Sequence, residues 1–154
     1  MMLEPGDAIP AVTLMDMEGV EFALDHYSGK PLVVYFYPKA DTPGCTNEAK
    51  DFTALADEYA AAGVPVIGIS RDKPAKLKKF SEKYGLSVIL ASDEPGDACA
   101  AFGTWVEKSL YGRTYMGMER TTFLVKGDGT IAQVWRKVKV PGHVDAVLDA
   151  VRGA

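Results

Sequence analysis

The segment Leu32-Val33-Val34-Tyr35-Phe36-Tyr37 is aliphatic or aromatic at every position, with no polar residue at alternate places to face water. A strand of this kind must be covered on both faces, which is the condition of strands in parallel sheets joined by helical crossovers. Val64–Ser70 (VPVIGIS) repeats the pattern. Between the two, Ala49, Phe52, Leu55, Ala56, Tyr59 and Ala60 recur at threes and fours, predicting one amphipathic helix closed by Gly63. Asp41-Thr42-Pro43 ahead of it supplies cap residues and a proline suited to the first helical position. After the second strand, Asp72 and Pro74 open a helix whose apolar face is Leu77, Phe80 and Tyr84, and Gly85 ends it.

The flanking segments complete the order. Val12–Leu14 and Val20–Leu24 read as an N-terminal hairpin around Gly19. Val88–Ala91 is a short strand, and Asp93–Phe102 is expected to hold a short helix. Thr121–Lys126 and Thr130–Lys137 flank Gly127-Asp128-Gly129 as a second hairpin, and His143–Val151 is a closing helix. The order β-α-β-α-β, then ββ and a helix, is α/β: a thioredoxin-like fold with an N-terminal β-hairpin extension. At 154 residues, with no repeat, low-complexity tract or long linker, residues 1–154 read as a single domain. A doubly wound nucleotide-binding fold would carry a glycine-rich turn after its first strand. Pro38–Gly44 has neither G-x-G-x-x-G nor G-x-x-x-x-G-K.

Charge and apolar run length narrow the function. Seventeen basic against twenty-one acidic residues give a net charge of -4, which argues against a nucleic-acid partner. No apolar run approaches the length needed to cross a membrane. Met1–Pro10 carries acids and prolines where an apolar export segment would stand, and Cys45 and Cys99 are the only thiols. The expected compartment is therefore the reducing cytoplasm.

The chemistry concentrates in Pro38-Lys39-Ala40-Asp41-Thr42-Pro43-Gly44-Cys45-Thr46-Asn47-Glu48, which joins a buried strand to a helix and delivers Cys45 to the first helical turn. Free backbone N–H groups and the positive end of the helix dipole favour a thiolate there. Gly44 permits close approach to the backbone, and the Thr42 hydroxyl can reach the same pocket. Local context leaves a second reading open, a buried cysteine filling a gap between helix and sheet.

The spacing Pro38…Thr42…Cys45 is P-x-x-x-T-x-x-C, and FYPKADTPGCTNEAKDF as a whole resembles the peroxiredoxins of the bacterioferritin comigratory protein, or PrxQ, branch. The resemblance continues through WVEKSLYGRTYMGMERTTFLVKGDGTI and WRKVKVPGHVDAVL. It implies a thiol peroxidase acting on hydrogen peroxide and organic hydroperoxides, with Cys45 as the peroxidatic cysteine and Thr42 as its hydroxyl partner. It also implies that Arg120 is the guanidinium beside the sulfur, that Glu48 orients it, and that Pro38, Pro43 and Gly44 shape the peroxide pocket. The same resemblance implies a monomer regenerated by thioredoxin or glutaredoxin. Sulfur carries the electrons to the sulfenic acid state, so neither a metal nor another cofactor is called for.

Some relatives carry a resolving cysteine five residues after the peroxidatic one, which is Lys50 here; others carry it on the next helix, where this chain has Ser81. Cys99, in an alanine-rich apolar run, reads as a structural cysteine, so the chain is expected to act as a one-cysteine enzyme. A dithiol reductase would need C-x-x-C, and the third residue after Cys45 is Glu48. A non-catalytic redox sensor or binding protein of the same fold is the alternative from another class. His26 and His143 lie too far apart for a zinc spacing and are expected to be exposed. The five lysines of the segment Arg71–Lys83 read as a solvated helix face, and Trp105, Tyr111 and Tyr115 as core aromatics or a wall of the site.

Overall fold

The computed structural model describes residues 3–153, so the parts of the one-domain and export-signal readings that rest on Met1, Met2 and Ala154 lie outside it. Strand β3 (Leu32–Phe36) is buried throughout. It pairs in parallel with β4 (Val66–Ser70), which pairs in parallel with β5 (Ile89–Ser92). On its other side β3 meets the antiparallel hairpin of β8 (Thr121–Val125) and β9 (Ile131–Trp135). The N-terminal hairpin, β1 (Thr13–Met15) and β2 (Glu21–Ala23), joins the far edge through the pair Met15 and Ser92. The resulting sheet has seven strands in the order β2-β1-β5-β4-β3-β8-β9. This is the α/β, thioredoxin-like arrangement that the strand and helix order predicts.

Alternation along β3 divides the core. Val33, Tyr35 and Tyr37 point to one face, where they pack with α1 (Pro43–Ala54), α3 (Pro74–Tyr84) and α5 (His143–Gly153). Leu32, Val34 and Phe36 point to the other, against α4 (Asp97–Ala101) and the N-terminal hairpin. Cys45 belongs to the first layer and Cys99 to the second.

Three readings are corrected and one element that the sequence left unread is added. The single helix expected through Ala60 is two, α1 and α2 (Ala56–Ala61), broken at Leu55 with φ -104° and ψ 17°. Thr53 Oγ1 donates back to Ala49 O at 2.8 Å while accepting from Ser87 N, a local bond that bends a helix without disturbing its apolar period. Second, a hairpin of β6 (Trp105–Leu110) and β7 (Arg113–Met118) stands apart from the main sheet. Its turn places Tyr111 and Gly112 at φ 50° and 77°, the paired left-handed residues of a tight hairpin. Third, Tyr111 and Tyr115 are exposed on this hairpin, so they are not core aromatics, whereas Trp105 is partly buried against the second layer. Fourth, His143 is buried at the start of α5, with a ring nitrogen 2.8 Å from Thr122 Oγ1 and an edge-on contact with Trp135. A histidine opening an apolar helix looks exposed until the strand that covers it is known. His26 is exposed as expected.

Candidate active site

The loop after β3 turns back into α1 with Thr42 as the N-cap residue and Pro43 in the first helical position. The Thr42 hydroxyl does not cap the helix. It donates instead to Lys39 O at 2.7 Å, closing the loop on itself. Thr46 N makes the first backbone bond of the helix, to Thr42 O, so the N–H groups of Gly44 and Cys45 have no carbonyl one turn earlier. Cys45, in the third position of α1, is only 2% exposed.

Sheet pairing brings Arg120 to this helix start. β8 runs antiparallel to β3, and its first residue Thr121 lies opposite Phe36, so the residue before β8 emerges beside the loop that follows β3. Arg120 Nη2 lies 3.4 Å from Cys45 Sγ, and Nη1 donates to Glu48 Oε1 at 2.7 Å. Glu48 stands three residues after Cys45, on the same side of α1, and is fully buried. One guanidinium thus spans sulfur and carboxylate. A side-chain carbon at Gly44 would lie 3.0 Å from Arg120 Nη2, so the close approach that this glycine permits is the guanidinium's. Pro38 and Pro43 are exposed on the rim of the loop.

Burial pushes the Glu48 carboxyl up to about 7, against the attraction and hydrogen bond of Arg120. Burial and the nearby Arg120 charge both lower His143, to about 4. Two phenol hydroxyls on the same face, Tyr35 and Tyr37, and the second oxygen of Glu48 are buried without a hydrogen-bond partner among the described residues. The Tyr35 ring lies over Gly68 of β4, where a side-chain carbon would come within 2.6 Å of the phenol oxygen.

The other cysteine is built differently. Cys99 is fully buried, its thiol faces Gly96 O at 3.2 Å, and its backbone N–H donates to the Asp93 carboxylate. Burial first, then Asp93, pushes the thiol up to about 12. Ser81 lies half-buried on α3, its hydroxyl 3.4 Å from Leu86 O.

Two loop supports escaped the sequence reading. Asp72 does not cap α3, whose N-cap is Lys73. Its Oδ2 instead accepts from Ala40 N and Ser70 Oγ, each at 2.7 Å, tying the loop to the end of β4. Asp41 is held from α3 by Lys83 and Tyr84. No single-position signal distinguishes these acids from ordinary helix-opening ones. Among the described residues, no group of three or more His, Cys, Asp or Glu is placed to hold a metal ion, and no helix is long and apolar enough to cross a membrane.

The signature of the AhpC/TSA family matches residues 5–134. This chain belongs to the peroxiredoxins. Within the family it is 46% identical over 147 residues to the Escherichia coli protein named peroxiredoxin Bcp, covering 96% of this chain and 94% of that one. It is 45% identical to a putative peroxiredoxin bcp of Coxiella burnetii, over 96% and 98% of the two chains. A solved structure of the bacterioferritin comigratory protein of Xanthomonas campestris superposes with a TM-score of 0.89 at 42% identity, over 96% of this chain and 98% of that one. The peroxiredoxin is a thiol-dependent peroxidase of the bacterioferritin comigratory protein, or PrxQ, branch. Its substrate is a peroxide and its electrons come from a thiol.

Proposed function

We propose that Cys45 is the peroxidatic cysteine and that Arg120, Glu48 and Thr42 are its working partners. The observation that carries this reading is the single guanidinium 3.4 Å from Cys45 Sγ and 2.7 Å from Glu48 Oε1. The thiolate attacks one peroxide oxygen in line. An S–O bond forms as the O–O bond breaks, sulfur is oxidised to the sulfenic acid, and the departing oxygen takes a proton to leave as water or alcohol. Arg120 stabilises the thiolate and donates to the peroxide oxygens with its fixed fork. Because the Thr42 hydroxyl proton is committed to Lys39 O, its oxygen can only accept, and the partner it suits is the O–H of a peroxide. The free N–H of Cys45 supports charge on the departing oxygen. Gly44 makes room for the guanidinium, and Pro38 and Pro43 hold the rim.

The Xanthomonas bacterioferritin comigratory protein is described through its alkyl peroxide reduction activity, which supports organic hydroperoxides beside hydrogen peroxide as substrates here. Two cysteine-to-serine variants of Xanthomonas campestris peroxiredoxin Q alter positions separated by the same number of residues as Cys45 and Ser81. That spacing supports Ser81 as the place of a lost resolving thiol. The sulfenic acid is then reduced by an external thiol through a mixed disulfide, with thioredoxin or glutaredoxin as the reductant. Residues 1–154 act as one catalytic unit, a cytoplasmic monomer.

The test is peroxide consumption with dithiothreitol as reductant. The intact protein should turn over and Cys45→Ser should not, whereas activity surviving in Cys45→Ser would overturn the assignment. Thioredoxin and glutaredoxin supplied separately identify the reductant, and turnover with neither would overturn that part of the reading. Ser81→Cys should divert the oxidised product to an intramolecular disulfide with Cys45, about two mass units lighter than its reduced form. An accumulating sulfenic acid in that variant would contradict the assignment of Ser81.

A further inference from the structure

Asp41 adopts φ 60°, the left-handed conformation that residues bearing a side-chain carbon rarely enter. It does so at the middle of the loop that delivers Thr42 and Cys45, immediately before the N-cap of α1. Both of its carboxylate oxygens are engaged from α3. Oδ1 accepts the Tyr84 hydroxyl at 2.6 Å, and Oδ2 accepts Lys83 Nζ at 3.0 Å. The Lys83 pair is exposed on both sides, and such ion pairs hold little. The Tyr84 bond is short and charge-assisted, and its donor sits on a ring fixed edge-on against the buried Phe80, 5.7 Å away. Phe80 in turn packs on Tyr37, the residue that leads into the loop. The Tyr84 ring also lies 5.9 Å from Lys50 of α1 and 5.2 Å from the Lys83 ammonium.

We infer that Tyr84 is a positioning residue for peroxide reduction, holding Asp41 in its left-handed conformation so that the loop presents Thr42 and Cys45 correctly. The inference rests on Cys45 being the peroxidatic cysteine. The link from Asp41 to chemistry is the next residue. With Asp41 left-handed, the chain folds back so that the Thr42 hydroxyl donates to Lys39 O and leaves its oxygen to accept from the peroxide. If Asp41 relaxes to negative φ, that turn opens and the hydroxyl is free to point elsewhere. Neither Tyr84 nor Asp41 hydrogen-bonds the Cys45 sulfur, so each acts through Thr42.

Asp72 braces the loop from the other side through Ala40 N and makes no hydrogen bond to Asp41 itself. The Tyr84 hydroxyl should therefore matter only while residue 41 needs holding. Glycine enters the left-handed region without strain and has no carboxylate for Tyr84 to grip. Asp41→Gly thus supplies a background in which Tyr84 has nothing to do.

The experiment is competition against horseradish peroxidase for limiting hydrogen peroxide, which reads the second-order rate of the first oxidation step. Tyr84→Phe should slow that step roughly three- to tenfold, the loss of one charge-assisted hydrogen bond partly expressed in the transition state. In the Asp41→Gly background the same substitution should change nothing, the non-additivity expected of two residues that act through each other. Asp41→Ala should be slower than Asp41→Gly, because alanine must bear the strained dihedral or abandon it. Thermal unfolding of the same variants supplies the second readout. A melting temperature lowered by Tyr84→Phe with an unchanged oxidation rate would overturn the inference, as would the same loss of rate in both backgrounds. Cys45→Ser run alongside separates the two levels: if it still consumes peroxide, the assignment of Cys45 fails, whatever Tyr84 does.

Discussion

The two cysteines lie on opposite faces of one sheet, both shielded from water, and their surroundings differ in the sign of the nearest charge. Cys45 is 2% exposed and Cys99 0%, so burial does not separate them. Cys45 opens a twelve-residue helix and faces a guanidinium, whereas Cys99 sits in a five-residue helix beside the Asp93 carboxylate. A low-dielectric setting amplifies whichever charge is present. Beside Cys45 that charge is a guanidinium 3.4 Å from the sulfur, able to pair with an anion; beside Cys99, burial and then the Asp93 carboxylate push the thiol up. The lesson is that a cysteine's reactivity is set by what it is buried with. The sheet between the two also keeps them apart, since a disulfide needs Cα atoms within about 7 Å.

Removing the charge at Cys45 is the largest test of this contrast. Arg120→Met should slow oxidation of Cys45 by roughly a hundredfold, the scale of losing one preorganised donor to developing charge. Gly44→Ala should reproduce part of that loss, roughly tenfold at most, because its methyl group meets Arg120 Nη2 at 3.0 Å and pushes the guanidinium aside. Rates equal to the parent in both variants would show that the guanidinium is not what distinguishes the two thiols. At the small end, Cys99→Ser should change the first oxidation step less than about twofold, as a residue that never meets peroxide. A larger loss of rate without loss of fold would make the two cysteines partners after all.

Burial sharpens the comparison through two neighbours of the same guanidinium, which answer to pH in opposite directions. His143 protonates near 6.5 when unexposed to the fold and near 4 within it. Between those values only the unfolded chain takes the proton, so the stability present above pH 6.5 is lost as pH falls toward 4, by roughly 3 kcal/mol. Glu48 is raised from 4.5 to about 7, so its contribution is present below pH 4.5 and is lost as pH rises through 7. Urea unfolding at pH 7 and pH 5 should therefore show His143→Gln losing less stability on acidification than the parent. An identical loss in both would place the His143 ring in water.

Much of this was legible in the sequence because the relevant signals are local and periodic. The apolar segments Leu32–Tyr37 and Val64–Ser70 read as doubly covered strands, and Asp41-Thr42-Pro43 marked the helix start that holds Cys45. The β6–β7 hairpin was missed because most of its residues face water, which leaves no apolar alternation to read. The break at Leu55 was missed because the apolar period runs straight through it, and the cause is a hydroxyl bonding back along the helix. His143 and Asp72 were misread for one reason. Each sits at a helix start, where a polar residue looks like a surface cap, and only tertiary pairing reveals Thr122 over the one and Ala40 over the other. Arg120 is the instructive case. Its place beside Cys45 depends on β8 pairing with β3, a contact between distant segments that no local pattern contains, and it came into view only through resemblance to a family.

The central claim, that one buried cysteine is reactive and the other inert, is tested most directly by mass spectrometry after one equivalent of hydrogen peroxide. The protein should gain one oxygen, about 16 mass units, confined to Cys45 as the sulfenic acid, with Cys99 recovered as a free thiol. Oxidation shared between the two cysteines, or a stoichiometric bridge from Cys45 to Cys99, would contradict it.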